Sequence, residues 1–196
     1  RAIEASDAVA IGPGLSRHPQ TKALVQRRVP MITKPLIVDA DGLNNLAEDV
    51  GVLKKRSLPL IVTPHPGEMG RLIRQSAADV QRDRERIALE FAKTYQAVVA
   101  LKGHRTVVAS FDGSVSINET GNPGMASGGC GDVLTGMIAG LLGQGLSLFD
   151  AARLGVYLHG LSGDLVAEER GQVGLIASDL LDRIPLAIRQ YQASPT

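Results

Sequence analysis

The chain has 196 residues, of which 44% are hydrophobic, and its 21 basic and 20 acidic side chains leave a net charge of +1. This length and apolar content favour one domain with one substantial core, spanning residues 1–196. The interleaved charges and the scarcity of aromatic residues, with three Tyr, three Phe and no Trp, argue against a nucleic-acid partner.

The apolar stretches are too short for a membrane span, since even residues 133–142 are broken by Gly and Thr. We therefore expect a soluble protein. One cysteine excludes an internal disulfide, and there is no Cys/His cluster typical of a zinc site, which fits a reducing cytoplasm. The first residue is Arg, so we interpret the start as trimmed or processed.

Short apolar segments alternate with amphipathic ones through the first half of the chain. Near-continuous hydrophobic runs predict strands that helices cover on both faces, as in a mainly parallel sheet. These runs are residues 8–11, 35–38, 58–62 and 97–101. Helices are predicted between them at about 20–28, 43–48 and 76–95, and Ser76 to Asp79 resembles a capping box at the start of the last one.

The second half predicts a hairpin followed by helices. Residues 106–109 and 114–117 flank a Phe-Asp-Gly turn and favour an antiparallel hairpin at the end of the sheet. Helices are predicted near 133–142, 148–169 and 178–192. The pattern therefore indicates an α/β fold with a mixed, mainly parallel sheet and a helical C-terminal third packed against it.

The most informative stretch is Gly121-Asn-Pro-Gly-Met-Ala-Ser-Gly-Gly-Cys-Gly-Asp132, the glycine-rich segment (residues 121–132), which leads directly into an apolar helix. Its glycines let the backbone approach a ligand closely, and the helix N-terminus favours an anion such as phosphate. The helix dipole favours the ionised form of Asp132, which suits proton abstraction from a hydroxyl. As a purely structural alternative, the segment is a turn and Asp132 a helix cap.

Small or polar residues follow each predicted parallel strand, at the sheet edge where open α/β sheets bind ligands. They are Gly12-Pro-Gly-Leu15, Asp39-Ala-Asp-Gly-Leu-Asn44, Thr63-Pro-His-Pro-Gly-Glu68 and Lys102-Gly-His-Arg-Thr106. Each has a structural alternative: a tight turn at Gly12, a helix cap at Asp41, and a rigid-loop hydrogen bond from His65. Their occurrence together at one edge of the sheet favours a ligand-binding site.

Other nucleotide-binding and catalytic motifs fit less well. There is no Gly-x-x-x-x-Gly-Lys-Ser/Thr, and Gly12-Pro-Gly14 lacks the third glycine of a dinucleotide fingerprint. Cys130 beside a helix N-terminus is a conceivable nucleophile, but no His base is placed next to it by the sequence. We interpret Cys130 as a small residue that fills an anion-binding turn.

With these motifs in this order, the chain resembles the NAD(P)H-hydrate dehydratase family over nearly its whole length. The resemblance implies a three-layer ribokinase-like fold. It also implies an enzyme, a lyase of metabolite repair, that restores C6-hydrated NADH or NADPH with ADP or ATP as co-substrate and Mg²⁺. Further implications are a homo-oligomer, a tetramer in the family, and an NAD(P)H-hydrate epimerase as partner.

The resemblance also implies residue roles. Asp132 would be the catalytic base and would contact the substrate, and Glu68 would act near Mg²⁺, through water. The phosphoryl group would be held by backbone N–H groups of Gly129, Cys130 and Gly131. Gly14 and His65 would bind the hydrated nicotinamide nucleotide. The adenine nucleotide would be bound by Lys102, Gly103, His104, Arg105, Thr106, Asn122, Gly128 and Gly131.

The chain departs from the family pattern in two respects. Cys130 stands where the family commonly has Thr, which removes a hydroxyl contact to phosphate. The chain also begins almost at its first strand, whereas family members carry a preceding glycine-rich strand and helix. Two other functions stay open: a ribokinase-like kinase of a small molecule such as hydroxyethylthiazole, and a non-catalytic module that binds nucleotide.

Overall fold

The computed structural model describes residues 3–193. In this part of the chain, six strands form one sheet in the order of the sequence. They are β1 (Val9–Ile11), β2 (Leu36–Val38), β3 (Leu60–Val62), β4 (Ala97–Leu101), β5 (Val107–Ser110) and β6 (Val115–Ile117). β1 to β4 are parallel, and β5 and β6 add an antiparallel hairpin. All six strands match the predicted ones within two residues.

Helices connect the parallel strands and follow the hairpin. They are α1 (Pro19–Arg28), α2 (Ala40–Leu46), α3 (Pro66–Ile73), α4 (Ala77–Arg82), α5 (Arg84–Tyr95), α6 (Cys130–Gly143), α7 (Leu148–Arg170) and α8 (Ala177–Ala193). Short 3₁₀ turns occupy Val29–Met31, Val50–Lys55 and Pro123–Met125. Within residues 3–193, no helix is long and apolar enough to cross a membrane.

The sheet lies between two helical layers, because alternate strand residues point to opposite faces. On one face, Leu36 and Val38 of β2 join a core with residues of α1 to α5. On the other, Ile37 joins a core with residues of α6 and α7. This confirms the three-layer α/β architecture and the packing of α6 and α7 against the sheet, whereas α8 packs on α7 and α6.

Three predicted helices differ from the structure, one of them only because it begins at Cys130 and not at residue 133. The helix predicted over residues 76–95 is interrupted at Asp83, whose backbone (φ −145°, ψ 56°) leaves the helical region. Val80 and Ile87 are buried on either side of the break, so the apolar pattern does not reveal it. The helix predicted at 43–48 instead spans Ala40–Leu46. The capping box at Ser76 is confirmed, since its hydroxyl accepts from the Asp79 N–H and the Asp79 carboxylate from the Ser76 N–H.

The sequence does not predict α3, because the first residues of this helix have the pattern of a loop. Pro66 occupies the first helical position, where a missing N–H costs little. Gly67 follows within the first turn. The Pro-Gly pair that indicates a turn in isolation is therefore the start of a helix here.

The ends of β1 and β2 approach very closely at Gly12. Its φ is +140°, and a methyl group added to its Cα would lie 1.8 Å from the carbonyl oxygen of Asp39. The Leu15 N–H donates to the Gly12 carbonyl, which confirms the tight turn. The glycine thus permits the loop after β1 to pack on the start of α2.

Candidate active site

A cavity of about 690 Å³ opens at the carboxyl ends of β2, β3 and β4, where the N-terminus of α6 and the middle of α7 meet them. Most of the predicted site residues line it: His65, Glu68, Lys102, Gly103, His104, Arg105, Thr106, Asn122, Gly129, Cys130, Gly131 and Asp132. Gly14 and Gly128 do not line it, and both are exposed. The structure therefore brings four of the five quoted motifs together.

The N-terminus of α6 faces this cavity. Gly129 is its N-cap residue in the left-handed conformation (φ 88°), which glycine adopts without steric cost. Asp132 is the third residue of the helix, and its side chain is exposed. A carboxylate in the first turn beside free space is placed to accept a proton from a bound hydroxyl group.

The Cys130 and Asp132 N–H groups already have partners. The Cys130 N–H donates to the Ser127 carbonyl over 3.4 Å, and the Asp132 N–H donates to the Gly129 carbonyl over 3.0 Å. The first of these distances is near the limit for a hydrogen bond. The Cys130 N–H is consequently only weakly engaged at the position where an anion would bind.

A buried charged network lies behind the helix N-terminus. Asp39 is 1% exposed and accepts hydrogen bonds from Lys102 Nζ (2.8 Å) and Thr135 Oγ1 (2.7 Å). Glu68 Oε2 lies 3.8 Å from the same ammonium group. A methyl group added to Gly131 would lie 3.4 Å from Lys102 Nζ, so this cation lies beside the first turn of α6.

The network includes two residues that the sequence did not single out, Asp39 and Thr135. Asp39 follows β2 inside a quoted motif, but the helix cap that the sequence suggests there is Asp41. In the structure Asp39 occupies the N-cap position and makes no capping bond with its side chain. Thr135 lies on α6 one turn beyond Asp132, where nothing in the local pattern marks it.

His65 caps α3 and lines the cavity at the same time. Its Nδ1 accepts from the N–H groups of Gly67 (3.0 Å) and Glu68 (3.3 Å), and Glu68 Oε2 accepts from the His65 N–H (2.8 Å). Burial lowers the pKa of His65; Lys102 lowers it further, while Glu68 opposes the shift. His65 therefore makes the loop hydrogen bonds that the structural alternative predicts, and it also lines the cavity.

Cys130 does not have the surroundings of a nucleophile. Its side chain is buried with Val166, Leu175 and Leu180, and burial raises the pKa of the thiol. A buried thiol with a raised pKa is a poor source of thiolate. The structure supports the interpretation of Cys130 as a small residue that shapes the turn.

The turn after β4 is held from behind by Arg84 of α5. Its guanidinium donates to the carbonyl oxygens of Leu101 (3.1 Å) and Arg105 (2.9 Å), and also to that of His104. Gly103 packs against the same guanidinium. This cross-linking explains how a turn of exposed residues keeps a defined shape at the mouth of the cavity.

Among residues 3–193, no group of three or more His, Cys, Asp or Glu side chains is placed to hold a metal ion. Both carboxylate oxygens of Glu68 lie close to His65, at 2.8 Å from its N–H and 3.5 Å from its Nε2. These contacts hold the Glu68 carboxylate beside His65.

Residues 1–186 match the model of the NAD(P)H-hydrate dehydratase family. The chain belongs to this family. It is 55% identical over 186 residues to the bifunctional NAD(P)H-hydrate repair enzyme of Moorella thermoacetica, covering 95% of this chain and 35% of that relative. It is 43% identical over 150 residues to the ADP-dependent (S)-NAD(P)H-hydrate dehydratase of Neisseria meningitidis, covering 75% of this chain and 51% of the relative.

Solved structures agree with this membership and with the ribokinase-like fold. The ADP/ATP-dependent NAD(P)H-hydrate dehydratase of Bacillus subtilis, co-crystallized with ATP/Mg²⁺, superposes with a TM-score of 0.84 at 36% identity. The match covers 97% of this chain and 68% of that one. The chain spans about a third of the length of the first of these curated relatives and about half of the second.

Proposed function

We propose that this chain dehydrates C6-hydrated NADH or NADPH with ADP or ATP as co-substrate. The observation that carries the proposal is the meeting of three features in one cavity. These are the exposed Asp132 carboxylate, the anion-binding N-terminus of α6, and the Lys102 ammonium beside Gly131. A base next to a positively polarised pocket is what phosphorylation of a hydroxyl requires.

Hydroxide is a poor leaving group, so the reaction proceeds through a phosphate ester. The C6 hydroxyl oxygen attacks the terminal phosphorus of the nucleotide while Asp132 takes the hydroxyl proton, and AMP or ADP leaves. The ring nitrogen then pushes its electron pair towards C6, the C–O bond breaks and phosphate departs. Loss of a proton from the neighbouring ring carbon restores the double bond.

The other residues would hold the reactants in line. The backbone at Gly129, Cys130 and Gly131 and the Lys102 ammonium would stabilise charge on the transferred phosphoryl group. His65 would contact the nicotinamide nucleotide. The turn from Lys102 to Thr106 and Asn122 would bind the adenine nucleotide. For Gly14 and Gly128 the same family-implied contacts are proposed, although both lie outside the cavity wall.

Among residues 3–193, no group of three or more potential metal-ligating side chains is placed to hold a metal ion, and Glu68 Oε2 accepts the His65 N–H. Any Mg²⁺ would therefore come with the nucleotide phosphates, which is its usual mode in phosphoryl transfer. Glu68 would act near this ion through water, as the family resemblance implies. An epimerase partner and a homo-oligomeric state also stay predictions.

The test is a single-turnover assay with hydrated NADH, ADP and Mg²⁺, monitored by recovery of absorbance at the reduced-nicotinamide wavelength. We expect recovery, with phosphate and AMP released in equal amounts. Failure to recover combined with phosphorylation of hydroxyethylthiazole would favour a small-molecule kinase. Binding of ADP with neither activity would favour a non-catalytic module.

A further inference from the structure

Helix α7 packs along the glycine-rich segment at unusually short range. A methyl group added to Gly160 would lie 2.2 Å from Oγ1 of Thr120, the residue just before the segment, and one added to Gly163 would lie 2.2 Å from Met125 Sδ. Such distances are possible only because both helix residues lack a side chain. One face of α7 is thus shaped to receive the segment.

The start of the segment is fixed by Asp164 of α7. Its Oδ2 accepts the Gly121 N–H over 2.7 Å, and its Oδ1 accepts from Asn122 Nδ2 over 3.0 Å. The side-chain oxygen of Asn122, Oδ1, accepts a hydrogen bond from the Gly124 N–H over 3.1 Å. The carboxylate therefore sets the orientation of the Asn122 side chain at the cavity wall.

The end of the segment is fixed by His159, which lies five residues earlier on the same helix. Its Nε2 lies 2.8 Å from the carbonyl oxygen of Cys130, so this nitrogen carries the proton and donates it. Burial lowers the pKa of His159 to about 4, which keeps the ring neutral near pH 7. The bond ties α7 to the first residue of α6.

We propose that Asp164 and His159 are positioning residues that hold the two ends of the glycine-rich segment in its working shape. Asp164 positions Gly121 and Asn122, at the end of the segment that would bind the adenine nucleotide. His159 positions Cys130, at the end that would hold the phosphoryl group. This inference rests on the proposed function for its catalytic consequence. Its structural consequence, a more mobile segment when either contact is lost, is independent of that function.

The first arm of the test compares Asp164→Asn with Glu168→Gln, an exposed carboxylate one turn further along α7 that undergoes the same change. An amide at position 164 has only one acceptor oxygen for two donors. We expect both the dissociation constant and the KM for ADP to rise roughly tenfold or more in Asp164→Asn, because a charge-assisted hydrogen bond is lost. The kcat should change less than about threefold. Glu168→Gln should behave like the parent chain.

The second arm compares His159→Leu with His159→Gln. Leucine fills the space without a donor, whereas the glutamine amide has an N–H that can reach the Cys130 carbonyl. We expect His159→Leu to lower kcat about tenfold with little change in ADP affinity, as loss of one positioning hydrogen bond implies. His159→Gln should recover most of the rate. Equal losses in both variants would overturn the role of His159.

Hydrogen exchange of the unliganded chain separates this inference from the proposed function. Amides of residues 121–125 should exchange faster in Asp164→Asn than in Glu168→Gln, while those of β2 to β4 stay protected. Unchanged exchange in the segment, or a uniform rise across the chain, would overturn the inference whether or not the parent is a dehydratase. Asn122→Ser, which removes the donor facing Asp164, gives the same readout if Asp164→Asn does not fold.

Discussion

The Lys102 ammonium group is bonded to a carboxylate that solvent hardly reaches. Its Nζ lies 2.8 Å from Asp39 Oδ1, with Asp39 1% and Lys102 21% exposed. By contrast, the pair of Lys22 with Glu48 has the same distance but lies at the surface, where the two side chains are 30% and 73% exposed. The two ion pairs differ mainly in the burial of their side chains. Comparing them therefore tests how burial changes the effect of an ion pair on the free energy of unfolding.

Lys102→Met is expected to destabilise the fold by roughly 3 kcal/mol, because it leaves the Asp39 carboxylate buried without its cation. Lys22→Met should cost less than about 1 kcal/mol, as exposed pairs do. Urea unfolding of both variants measures the difference. The double variant Asp39→Asn/Lys102→Met should regain much of the loss, and equal destabilisation by the two single variants would contradict this account.

Asp132→Asn is expected to reduce turnover by on the order of 10²-fold to 10⁴-fold, because that is the contribution of a general base. Adenine-nucleotide binding should stay close to that of the parent, since the change preserves shape. Calorimetry and kinetics on the same preparation decide the matter. Weakened binding with unchanged turnover would make Asp132 a structural cap.

Gly129→Ala is expected to destabilise the chain by about 1–2 kcal/mol, because alanine is strained at a positive φ. The added methyl would also lie 3.1 Å from Ala177 Cβ. Gly128→Ala is the matched control, since a methyl there has open space and no unusual φ to adopt. Thermal unfolding should distinguish the two, and similar midpoints would show that the turn tolerates another conformation.

Cys130→Ser and Cys130→Thr should both retain most of the activity, because the thiol is buried and takes no part in the proposed chemistry. Threonine restores the hydroxyl that the family commonly has at this position. The measurement is turnover under reducing conditions. Near-complete loss in both variants, with the fold preserved, would require a catalytic thiol. Inhibition by alkylation is not diagnostic, since any bulky adduct would distort the turn.

Stability should decline in acid partly through His159. Its pKa is lowered from 6.5 to about 4 in the folded chain, mainly by burial, so below pH 6.5 the unfolded chain binds a proton that the folded chain does not. Above pH 6.5 the ring is neutral in both states and does not lower the free energy of unfolding. As the pH falls from 6.5 towards 4, this free energy decreases by up to roughly 3 kcal/mol. Unfolding free energies of the parent and His159→Gln should therefore converge over this range, and parallel curves would contradict the shift.

The sheet could be predicted from sequence because each buried strand is a local apolar run, as in residues 97–101, which form β4 with the predicted bounds. The α6 site could be predicted because its glycines, Cys130 and Asp132 are contiguous. The break at Asp83 could not, since the apolar pattern continues across it. The sequence does not predict the hydrogen-bonding roles of four residues, because their partners are 29 to 96 residues away along the chain. These residues are Asp39, Thr135, His159 and Asp164.

These separations have a consequence for folding order. The bonds of Asp39 to Lys102 and Thr135 close loops of 63 and 96 residues, and Asp164 reaches back 43 residues to Gly121. Contacts so distant along the chain form late, after local helices and strand pairs have reduced the entropy of closing those loops. A nascent chain that has emerged only as far as residue 150 therefore contains Asp132 and every strand of the sheet, yet lacks the helix that gives the glycine-rich segment its shape.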